Sequence, residues 1–191
     1  MLIKSLIMEL KITSQQILKL IYALAWLVFI GLCIEFGGLL FNTIYALTIH
    51  AEGTKQFWKS LNLFSLYQYD RMHFLSITIL MLIIAGFKAF LFYLIVKLVH
   101  DKKLNVTQPF NKDVCQFIFN FMYLTIGIAL FSSWGKNYTN WLLAKNIAMP
   151  SLEALQFNGA DIWLFMGIVL LVIAQIFKRG LELQEENELT V

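Results

Sequence analysis

A chain of 191 residues with 59% hydrophobic and only 14% charged residues, and a mean hydropathy of +0.70, lies far from the balance of soluble globular proteins. Too little polar sequence remains to form a soluble shell, the formal charge of +3 is small enough that its placement matters more than its size, and no direct nucleic-acid binding is expected. Cys33 and Cys115 fall in or beside apolar segments at different depths, which argues against a disulfide between them.

From Met1 to Leu20 the apolar residues are interrupted by Lys4, Glu9, Lys11 and Lys19. No signal-peptide core forms and no small-residue cleavage site follows, so the first span is expected to be retained as its own insertion signal. Thr13-Ser14-Gln15-Gln16 reads as a capping box opening that helix. A bilayer core takes about 20 mostly apolar residues, and four stretches qualify: about 17–46, 74–99, 114–134 and 160–179. The last reaches its length if Lys178 and Arg179 snorkel. Lipid offers the backbone no hydrogen-bond partner, so the segments are expected as helices. The predicted fold is all-α and polytopic, with four transmembrane helices in two hairpins, most economically a small four-helix bundle.

Lys4, Lys11 and Lys19 precede the first span, Lys97, Lys102, Lys103 and Lys112 join the second to the third, and Lys178 and Arg179 follow the fourth. The other connections carry Lys55, Lys59, Arg71, Lys136 and Lys145 over longer lengths. The denser set marks the cytoplasmic side, giving an N-in, C-in topology. Tyr45, Tyr67, Tyr69, Trp134, Trp141 and Trp163 then fall near the opposite interface as an aromatic belt. The two outer loops, about 47–73 and 135–159, hold apolar residues at helical spacing in 54–66 and 151–157, expected as short interfacial helices. The cytoplasmic tail is 180–191.

Glu35 and Lys88 are the ionisable residues well inside the spans, and an intramembrane charge is costly enough to mark a functional-site candidate. Counted from the inner ends at 1.5 Å per residue, Glu35 stands roughly 20 Å above Leu20 and Lys88 roughly 13 Å above Lys97. The two are natural partners, either as a pair fixing the register of the first two helices or as part of a proton or ion relay. Gly31, Gly37 and Gly38 around Glu35 allow close packing or a kink. His50 and His73 bracket the first outer loop near Glu52 and Asp70, residue types that bind metal, but at no motif spacing. No metal or other cofactor is expected. No phosphate loop, activated nucleophile or metalloprotease pattern occurs, and no enzyme activity is expected.

The tail places Glu182, Glu185, Glu186 and Glu188 after the basic pair Lys178-Arg179. Near an anionic leaflet such a tail is either simply solvated or a docking segment for a soluble protein. Gln108-Pro109-Phe110 before the third span, and the ending from Ile173 to Gly180 through Glu185-Glu186-Asn187-Glu188-Leu189-Thr190-Val191, resemble a widespread bacterial family of four-helix inner-membrane proteins. That family is catalogued only as a domain of unknown function. In it a Pro-Phe pair opens the third span, and the chain closes on an acidic stretch, Leu-Thr and a β-branched residue. Its genes often neighbour one for a small helix-turn-helix DNA-binding protein. The resemblance implies a non-enzymatic membrane partner or sensor for a cytoplasmic regulator, docking through Pro109, Phe110, Glu185, Glu186, Asn187, Glu188, Leu189 and Thr190. The alternative is a small transporter or channel using Glu35 and Lys88. Besides the lipid bilayer, a homo-oligomer is compatible with either reading.

Overall fold

The computed structural model describes residues 14–101 and 111–188; the side chains of Ser14, Gln15, Asn187 and Glu188 are not described. Pro109, Phe110, Leu189 and Thr190 of the expected docking segment, and Thr13 of the expected capping box, lie outside the described residues.

Four long helices carry the chain: α1 (Ser14–Thr48), α3 (Arg71–His100), α4 (Lys112–Ala144) and α5 (Ala160–Glu188), with a short α2 (Phe64–Tyr69) before α3. Each long helix contains a window apolar enough to cross a membrane, and no strand occurs among the described residues. At 29 to 35 residues they run roughly 44 to 52 Å, against a hydrocarbon core of roughly 30 Å. Their ends therefore project past the lipid. The third span continues ten residues past its apolar run, because the 135–144 segment extends α4. The fourth continues nine residues past Arg179.

Side-chain caps set the starts. The Asp70 carboxylate accepts from the Met72 amide at 2.6 Å, and the Asn111 side chain accepts from the Val114 amide at 2.8 Å. Beyond α4, Asn146 takes a left-handed φ of 60°, with its amide on the Leu143 carbonyl and the Ile147 amide on that of Leu142. This paired closure suits asparagine, one of the few residues with a Cβ that visits that conformation readily.

The helices pack in a row. α1 lies against α3, α3 against α4 and α4 against α5, while α1 and α5 do not meet among the described residues. A closed four-helix bundle would join α1 to α5; this assembly leaves that seam open. The two hairpins, α1/α3 and α4/α5, are the pairs with the most extensive contact.

The two long connections differ most from the sequence expectation. Segment 49–63, with 3₁₀ turns at Ala51–Gln56 and Trp58–Ser60, and segment 145–159 form no interfacial helices. They fold down as a cap whose Phe57, Leu61, Leu63, Leu155 and Phe157 are buried in one cluster with Leu66 of α2 and Phe74, Ile77, Met81 and Ile84 of α3. The physical reason is the number of large apolar residues in both connections, which gain more by packing on helix ends than by lying singly at an interface. Tyr67 is drawn inward too, buried edge-on against Phe74, whereas Tyr69, Trp134 and Trp141 remain exposed as an aromatic belt requires.

Candidate functional site

Two glycines let the cap seat deeply. Trp58 lies on Gly38 so closely that a Cβ there would stand 2.3 Å from the indole, and Phe157 lies on Gly135, where a Cβ would stand 2.7 Å from the ring. A residue beside a side chain seated like this is carried into the molecule with it. In the first loop that residue is Lys59; in the second it is Gln156, held between Leu155 and Phe157, both fully buried.

These two loop residues meet Glu35 and Lys88. The Lys59 ammonium donates to Glu35 Oε1 at 2.6 Å, Gln156 Nε2 donates to the same oxygen, and the Lys88 ammonium donates to Gln156 Oε1 at 3.1 Å. Glu35 and Lys88, expected as partners from the sequence, are brought into one network, through Gln156 between them, with Lys59 as the ion-pair partner of Glu35. Four polar side chains from α1, α3 and both cap loops form one network, with the Glu35 carboxylate mostly buried and the Lys59 side chain 63% exposed.

Both loop members stand on costly backbone. Lys59 has φ 52° and Gln156 φ 62°, in the left-handed region that disfavours side chains with a Cβ. Gln156 closes the turn after Ser151: its amide bonds the Glu153 carbonyl and the Phe157 amide bonds that of Leu152. That is the place where helical turns usually carry glycine or asparagine. A glutamine there is explained by its side chain, which reaches two elements at once.

His73 and His50 serve separate contacts. His73 Nδ1 is hydrogen-bonded to the Tyr138 hydroxyl, between the rings of Tyr69 and Trp141, and the His50 ring lies beside Tyr45. Among the described residues no three His, Cys, Asp or Glu side chains gather as a metal site would require. Elsewhere on the cap Lys55 donates to Glu52 at 2.9 Å, and that hydrogen bond holds the Glu52 carboxyl below the usual carboxylate range.

The opposite end carries the other sequence candidates. Glu185 pairs with Lys112 at the start of α4 at 2.9 Å, and Arg179 pairs with Glu182 one turn along α5 at 3.1 Å. Glu186 is exposed, and the helical backbone continues through Asn187 to Glu188. The acidic stretch is therefore an extension of the last helix, tied to α4. Between α1 and α3, Tyr22 bonds His100 Nδ1 at 3.1 Å.

Four spanning helices with a folded cap define a multi-pass α-helical membrane protein in contact with the bilayer. No protein-family model, no curated protein and no solved structure matches the chain. Lys59 and Gln156 are the site residues that sequence reasoning passed over. The available signal was their setting: each follows or precedes an aromatic residue in a nominally external loop, Lys59 after Trp58 and Gln156 before Phe157.

Proposed function

We propose that this protein is a non-enzymatic membrane sensor or partner that reads a condition at its cap and holds a soluble regulator at its opposite, cytoplasmic end. One observation carries the reading. Gln156, which ties the α4/α5 hairpin to Glu35 of α1 and Lys88 of α3, lies in the connection to α5, and α5 runs without interruption to the acidic tail. A change in the network thus bears on the position of the tail helix, as a two-state element between distant sites should. The density of lysine at the terminal end supports a cytoplasmic placement in a bacterial inner membrane, and the resemblance of the tail supports a helix-turn-helix protein as the partner.

The test is co-purification from detergent. The full chain should retain a helix-turn-helix protein encoded beside it, and removal of 181–191 should lose it; equal recovery by both overturns the role of the tail. The second reading, a small transporter or channel, is favoured by the polar path from exposed Lys59 through Glu35 and Gln156 to half-buried Lys88. It requires proton or ion flux in reconstituted vesicles that Glu35→Gln abolishes, and an absence of flux with the unchanged protein ends it.

A further inference from the structure

The network at the cap has more donors than acceptors. An ammonium offers three hydrogens and no lone pair; Lys59 gives one to Glu35, Lys88 gives one to Gln156, and the amide of Gln156 is used at both ends. Two ammonium groups face a single carboxylate. A third donor stands nearby without an acceptor: the indole N–H of Trp58 is buried and unpartnered, in the residue preceding Lys59, with its ring on Gly38 one turn along α1 from Glu35. Burying donors that lack acceptors is costly, most of all at membrane depth, and here that cost falls on half-buried Lys88 and the Trp58 indole, since Lys59 is largely exposed. The backbone around them is held where side chains with a Cβ rarely go, at Lys59, Ser60 and Gln156, a feature that clusters at binding sites.

We propose that the cap binds a phosphate group between Lys59 and Lys88. A phosphate adds several acceptor oxygens to a site where Glu35 already serves both loops, and its charge balances the second ammonium. The group comes either from a free anion on the cap side or from a lipid headgroup, and the two share this chemistry. The proposal names what the sensor reads and rests on that reading for its consequence alone; binding is measured without any partner of the tail, so failure of docking and failure of binding are seen separately.

The experiment uses the full chain in two arms. Inorganic phosphate is titrated into the detergent-solubilised protein by calorimetry at low ionic strength, and lipid retention is read by native mass spectrometry after extraction from phosphatidylglycerol or phosphatidylcholine vesicles. Lys59→Gln and Lys88→Met should each weaken binding by at least about tenfold, the scale of one charged hydrogen bond. Glu35→Gln should tighten it, because a competing carboxylate is gone, and Lys145→Gln, which removes a cap cation seated over Trp141 instead, should leave it unchanged. Saturable phosphate binding with these signs assigns a free anion; selective retention of phosphatidylglycerol with the same signs assigns a headgroup. The proposal is overturned if the unchanged protein binds in neither arm, if Lys59→Gln binds as well as it does, or if Glu35→Gln weakens binding while the protein stays folded. Lys59 is largely exposed, so its variant keeps the test valid should Lys88→Met fail to fold.

Discussion

Around the cap, Leu63, Leu66, Phe74, Ile77, Leu155 and Phe157 are all fully buried, whereas among the described residues the terminal end packs a smaller cluster around Leu98, Val114, Ile118 and Ala174. The cap is held by apolar packing from both connections. Among the described residues the terminal end adds polar contacts, Tyr22 with His100 and the exposed pair Lys112 with Glu185. Exposed ion pairs contribute little and buried aromatic rings contribute much. The stable half therefore lies away from the acidic helix, and the half proposed to engage a partner is the one held loosely, as segments that move usually are.

That contrast breaks first at Phe157. Replacing this fully buried ring with alanine should cost about 3–5 kcal/mol, read as denaturant unfolding of the detergent-solubilised protein. A cost no greater than that of a surface substitution would show that the cap does not carry the stability assigned to it. Gly38→Ala should cost about 1–3 kcal/mol by pushing Trp58 off α1, with a shift in tryptophan emission as the local sign. Gln156→Ala should cost a similar amount, about 1–3 kcal/mol, since Lys88 and Glu35 lose their shared partner. Gln156→Gly separates backbone from side chain: it loses the same bonds but relieves a left-handed φ worth about 1–2 kcal/mol, and should be the milder change. Equal costs for the two would mean that the turn is not strained. Tyr138→Phe, which removes only the hydroxyl bonded to His73, should cost about 1 kcal/mol.

The spans, their number and their pairing into hairpins were legible in the sequence because length and apolar content decide them. Their ends were less so. Gly135 to Ala144 carries Lys136, Asn137 and Asn140, which read as a loop, yet the segment stays helical because Gly135, Thr139 and Leu142 are buried. Tertiary burial outweighed polarity there. The site was half legible. Glu35 and Lys88 stood out as charges among apolar residues, but nothing in spacing could place Lys59, 24 residues from Glu35, or Gln156, 121 residues away. Those contacts depend on how far two irregular connections sink between the helices, and that depth is set by ring-on-glycine fits at Gly38 and Gly135 that no periodicity encodes.

The smallest effect on stability tests the comparison from its loose end. Lys112 is fully exposed, and its hydrogen bond with Glu185 ties the acidic extension of α5 to the start of α4. Lys112→Ala should leave the unfolding transition where it is, because the cap sets the cooperative unit and an exposed pair screened by salt adds almost nothing to it. Local protection is a different quantity. Amide exchange in 181–186 should quicken, while exchange in Ile77 to Ala85 of α3, beneath the cap, stays slow. If the two regions respond together, they belong to one rigid unit, and a signal from the cap would have to move the whole row of helices. If only the tail responds, the helix that is proposed to dock a regulator can be released without unfolding the part that reads the signal.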